Sequence, residues 1–160
     1  MNRRHLGLAA VVLVGLAVAL AAAFTTAPAL LITGYETTTV EAVDGETGED
    51  LASVEARIAD DGLKRYVGLS ATDDLADDEG MLFVHDEPGE YGYVMRNMAF
   101  AIDILFVDAD GEVTRIHEAE PESRPLTTYE GEGQYVLEVP IGWSERHGVE
   151  PGDRIAFDLP

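Results

Sequence analysis

Two patterns of apolar residues divide this chain. From Leu6 to Phe24 they run on without a charge or a polar stripe, and after Thr25-Thr26 they resume from Ala27 to Ile32. Beyond Thr33 they come in short bursts that alternate with polar side chains. As a helix the first run is about 28 Å long, close to the ~30 Å hydrocarbon core of a bilayer. Arg3 and Arg4 precede it and the first charge after it is Glu36, so the positive-inside bias keeps the N-terminus in the cytoplasm and places the rest outside. Residues 1–32 are therefore expected to be a cytoplasmic stub followed by a membrane anchor or signal segment, crossing the cell membrane once through residues 6–24. A retained anchor is the first expectation. The alternative is a signal peptide cut at Ala19-Leu20-Ala21 or Ala21-Ala22-Ala23, which would release a secreted domain.

The second pattern predicts strands. Leu51 to Ile58 puts Ala52, Val54, Ala56 and Ile58 on one side and Ser53, Glu55 and Arg57 on the other. Thr37 to Val43 is a weaker strand inside a polar linker, 33–49. Met81 to Val84 is a short apolar strand. Ile102 to Val107 is apolar on both faces except at Asp103, as a central strand would be. Asp110-Gly111 predicts a tight hairpin into Val113 to Ile116. Tyr135 to Val139 alternates until Pro140 stops it, and Arg154 to Phe157 closes the domain. A short helix is expected over Gly62 to Leu69, and Trp143 to His147 is the candidate for a second, of one turn. The fold class is mainly β: a small barrel- or sandwich-like domain over 50–160, with one or two short helices, behind a single N-terminal transmembrane helix.

Charge narrows the function. Lys and Arg number 10 against 31 Asp and Glu, a formal net charge of −21. Nucleic-acid affinity depends on basic side chains neutralising phosphates, so no nucleic-acid partner is expected. The acids are dispersed, which fits a protein made for high salt, where the Debye length shrinks to about 3 Å at 1 M and screens self-repulsion. Without cysteine there is no disulfide framework, thiolate nucleophile or iron–sulfur site. His5, His85, His117 and His147 lack any metal-ligand spacing, and the calcium-loop pattern fails around Asp108-Ala109-Asp110-Gly111. No metal and no cofactor is implied.

Six short motifs occur in order: Arg65-Tyr66-Val67-Gly68-Leu69, Gly80-Met81-Leu82-Phe83-Val84, Met95-Arg96-Asn97, Ile102 to Asp108 with Asp110-Gly111, Tyr135-Val136-Leu137-Glu138, and Gly152-Asp153. Together they resemble the family named for domain of unknown function 192, DUF192, over about residues 50–158. The resemblance implies a domain that follows an N-terminal signal or membrane segment. It imports no activity. The family's aromatic-Met-Lys-Asn-Thr run stands here as Tyr93-Val94-Met95-Arg96-Asn97-Met98, with Arg96 for lysine and Met98 for threonine. A function needing that amine or hydroxyl could not operate in this chain.

Candidate chemistry centres on two carboxylates in apolar strands. Asp103 lies between Ala101 and Leu105 on its own face, and Glu138 shares a face with Val136. Each must meet a cation or several N–H donors, because an uncompensated buried charge costs several kcal/mol. Arg65, Arg96 and the Asn97 amide are the candidate partners, and a guanidinium fork suits a carboxylate. Two outcomes follow. In one, Arg65, Asp103 and Glu138 brace the barrel as an ion-pair network; in the other, Arg96, Asn97 and Asp103 line a site for a small polar ligand, with Tyr93 or Trp143 as its apolar wall. The favoured function is a membrane-tethered, extracytoplasmic binding or accessory module for such a ligand or for an envelope protein, an enzyme being less expected. The alternatives are a hydrolase using Asp103 and Glu138 as paired carboxylates, and a purely structural surface domain with no pocket near Arg96.

Overall fold

Alternation along the strands is resolved into a single sheet in the computed structural model, which describes residues 34–160. The apolar run 6–24 lies outside the described residues. Among the described residues no helix is long and apolar enough to cross a membrane. The elements in chain order are β1 (Thr37–Val43), β2 (Asp50–Ala59), α1 (Gly62–Val67) with a 3₁₀ turn (Gly68–Ala71), β3 (Glu79–Tyr93), β4 (Ile102–Val107), β5 (Val113–Ala119), β6 (Tyr129–Pro140), α2 (Trp143–His147) and β7 (Arg154–Ala156). The fold is mainly β with two short helices, as the pattern predicts.

The sheet order is β5-β4-β6-β3-β2-β1-β7. Every neighbouring pair is antiparallel except β2 with β3. Parallel strands cannot be joined by a tight turn. The crossover between β2 and β3 carries α1 and the 3₁₀ turn, and so lays a helix across one face of the sheet. The sheet curls into a half-barrel whose edges meet at one end. There Val113 N–H donates to the Asp153 carbonyl (2.8 Å), and Gly152 N–H donates to the Val113 carbonyl (2.8 Å).

Both faces of the central strands are covered. Side chains from all seven strands, among them Val40, Val54, Leu105, Leu137 and Ile155, fill one face together with Trp143 of α2. Met81, Phe83, Ile104, Phe106 and Val136 fill the other, under Leu69 of the 3₁₀ turn and Met95 of the β3–β4 loop. That is why β4 is buried at each of its positions.

Some bounds differ from the pattern. β3 runs on to Tyr93 with an irregularity between Val84 and Gly89, and β6 starts at Tyr129. The predicted tight hairpin at Asp110-Gly111 is instead a longer loop between β4 and β5. Only Gly111 there has positive φ, at 87°, and the Asp108 carboxylate accepts the N–H groups of Asp110 (2.8 Å) and Glu112 (2.9 Å). The strand expected in the linker, β1, is an integral member of the sheet between β2 and β7.

Candidate functional site

The crossover and the β3–β4 loop wall a cleft of about 180 Å³ on the Phe83 face of the sheet. α1 is started by Asp61, whose carboxylate accepts the N–H groups of Leu63 and Lys64, and ends at Gly68. Gly68 has φ +51°, and a Cβ there would press on the Phe83 ring at 3.2 Å. Glycine alone lets the chain turn this close over β3. Arg65 fastens α1 to the sheet through Nη1, which donates to the carbonyls of Val84 (2.6 Å) and Asp60 (2.9 Å).

Four of the seven sequence-predicted site residues line this cleft: Arg65, Tyr93, Arg96 and Glu138. Arg96 comes from the opposite wall. Its guanidinium donates to the Tyr66 carbonyl and lies 3.9 Å from the centroid of the Tyr66 ring. Leu69, Phe83, Met95, Met98 and Ile102 supply the apolar surface. Periodicity gave these five no functional meaning.

Glu138 is the residue out of keeping with its surroundings. It is 6% exposed, and no hydrogen bond or ion pair engages its carboxyl among the described residues. Burial pushes its pKa up to about 8. At neutral pH it is therefore a neutral acid, able to donate as well as accept. Beside it the Tyr93 hydroxyl meets His85 Nε2 at 3.0 Å. Burial raises the Tyr93 pKa, with the Glu138 charge adding and Arg65 opposing. Burial, assisted by Arg65, lowers that of His85 to about 4, and the His85 ring stacks on Tyr91 at 3.5 Å. Glu138 and Tyr93 in the cleft, and His85 bonded to Tyr93, are thus uncharged at pH 7.

The remaining expectations need correction. Asp103 meets no arginine. It is 1% exposed, and its two carboxyl oxygens accept the N–H groups of Gly142 (2.9 Å) and Ser144 (2.9 Å) at the start of α2. Of the two expected kinds of partner, a cation or several N–H donors, it has the second, supplied by backbone and not by Arg65, Arg96 or the Asn97 amide. Trp143 belongs to the core on the other face of the sheet, not to a ligand wall. Asn97 is exposed in a turn at φ 56° and is not among the lining residues. The proposed ion-pair network of Arg65, Asp103 and Glu138 does not form. Arg65 has only a long contact, 3.7 Å, with exposed Asp86.

Paired-carboxylate hydrolysis is excluded by register. Asp103 stands opposite Val139, and Ile104 opposite Glu138. Side chains alternate faces along a strand, so the two carboxyls point to opposite sides of the sheet and cannot flank one bond.

Comparison with known proteins agrees with this architecture. The family model DUF192, described as an uncharacterized ACR, matches residues 43–157. The structure resembles a proposed transcription regulator from Sinorhizobium meliloti 1021, with 31% identity, a TM-score of 0.72, and 79% of this chain and 97% of that one covered. It also resembles a protein of unknown function from Novosphingobium aromaticivorans DSM 12444, with 28% identity, a TM-score of 0.69, and 78% and 88% covered. No curated protein matches the chain.

Proposed function

The chain belongs to the DUF192 family, whose description assigns no activity, and on that footing we propose that it is a small-molecule binding module working through the cleft over Glu138. One observation carries the reading: a carboxyl group buried in an apolar cleft that two arginines also line, without a protein partner among the described residues. Leaving a buried polar group unmet costs about 1–3 kcal/mol. A ligand that bonds to it recovers that cost. A purely structural domain was expected to lack a pocket near Arg96, whereas Arg96 lines one.

The apolar N-terminal run supports a setting at the outer surface of a cell membrane, and the charge of −21 supports a high-salt medium. That charge also weighs against carrying the transcription-regulator role of one relative over to this chain as nucleic-acid binding.

A compound panel tests the proposal. Anionic, neutral and cationic fragments are screened by ligand-observed NMR against the full chain in molar potassium chloride. The control is Met98→Trp, which fills the cleft. The reading expects at least one compound to bind the native chain and to lose binding in M98W. Compounds that bind both chains equally, or no binding at all, overturn it.

A further inference from the structure

We infer that the cleft takes a small organic monoanion, its carboxylate held at the rim by Arg65 and Arg96 and its apolar body seated against Leu69, Phe83, Met95 and Ile102 over the Glu138 carboxyl. This rests on the reading of the cleft as a ligand site and names the ligand's chemistry.

Three observations converge on it. The first is where the charge lies. In a chain with 31 acidic residues, two guanidinium groups line one cleft, and among the described residues neither is closely paired with a carboxylate. Among the described residues the one ion pair of Arg65 is the 3.7 Å contact with Asp86, whose side chain is 87% exposed. Arg96 forms no ion pair among the described residues. Both are instead oriented by backbone carbonyls, Val84 and Asp60 for one and Tyr66 for the other. A guanidinium carries five N–H donors, so these contacts leave each fork with donors to spare. Lys64, close by on the same helix, shows the contrast: it is paired with Asp60 at 2.8 Å.

The second is depth. Leu69, Phe83, Met95 and Ile102 are almost wholly buried, while Arg65 and Arg96 are partly exposed, so the charged groups stand at the mouth and the apolar ones at the floor. A ligand matching this gradient has a charged head and an apolar body. The third is size. About 180 Å³ accommodates a single ring or a short chain and excludes a nucleotide or a peptide. A dianion would bring a second charge into the apolar floor, where Glu138 offers a neutral acid and no cation.

The test uses three probes of one shape, benzoate, benzamide and benzylamine, titrated by calorimetry into the full chain in molar potassium chloride. Benzoate is expected to bind, benzamide about tenfold or more weaker, since a charge-assisted hydrogen bond is worth about 1.5–3 kcal/mol, and benzylamine weakest. Arg96→Gln should cost benzoate about tenfold and benzamide markedly less, while Arg96→Lys keeps part of the benzoate affinity. Thermal melts establish that both variants fold. Failure of benzoate to bind, or benzamide or benzylamine binding as tightly, overturns the anion assignment. If those competitors are lost in Met98→Trp, the cleft remains a ligand site with a different ligand. The compound panel decides that wider question by itself.

Discussion

Asp103 and Glu138 sit on neighbouring hydrogen-bonded strands, one residue out of register, and look to opposite sides of the sheet. That single offset separates two fates for a buried carboxyl. Asp103 faces the core shared with α2 and is satisfied by two backbone N–H groups. Glu138 faces the cleft and has no protein donor among the described residues. The first holds the fold together, and the second is free to act on something else.

Asp103 latches α2 to β4, so Asp103→Ala strands two buried N–H groups. Unfolding in denaturant should show a loss of about 3 kcal/mol, and Asp103→Asn, which keeps one acceptor, a smaller one. A loss below about 1 kcal/mol would mean that water replaces the carboxylate there.

Glu138 couples stability to pH. Its carboxyl ionises near its ordinary 4.5 in the unfolded chain and near 8 in the fold. Between those values the native state holds a proton that the unfolded state has lost. Its contribution is therefore complete below about pH 4.5 and falls as pH rises, by about 1.4 kcal/mol per unit, until pH passes about 8. Glu138→Gln removes this slope. The difference between native and E138Q stability should grow in that direction from pH 5 to 8, and parallel profiles would contradict the buried-acid account.

His85 behaves oppositely. Its pKa in the fold, about 4, lies below its ordinary 6.5, so its contribution is complete above about 6.5 and is lost as pH falls towards 4. Proton NMR should find the His85 ring signals unmoved from pH 8 to 5. A midpoint near 6.5 would show that the contacts with Tyr91 and Tyr93 do not bury it.

Net charge sets the remaining condition. The midpoint of thermal unfolding should rise from dilute buffer to molar potassium chloride as repulsion among dispersed acids is screened. A midpoint independent of salt would remove the high-salt reading.

Alternation made much of the fold legible. β1, β4 and α2 have the bounds that pattern and turn residues predict, because each is a regular element with one clear start and stop. β3 and β6 outrun their predicted lengths. Their extensions pair Gly89 to Tyr93 with Tyr129 to Gly133, a stretch rich in glycine and glutamate that carries no apolar alternation. Gly131 is there for space, since a Cβ would stand 2.4 Å from the Phe106 ring. That is a tertiary reason, invisible along the chain. The site was half legible for a similar cause. A carboxyl amid apolar residues announces that it needs a partner, and arginine residues are the visible candidates. The partner Asp103 uses is backbone, brought from Gly142 and Ser144, and backbone donors have no sequence signature.

The central claim is that Glu138 is the group this protein's ligand meets. It is tested most directly by carbon-detected NMR of the Glu138 carboxyl while the tightest compound of the panel is titrated in. The account predicts a saturating shift of that signal with the midpoint seen in calorimetry, and an ionisation midpoint displaced from about 8. A Glu138 signal that stays in place while the compound saturates the protein would contradict it.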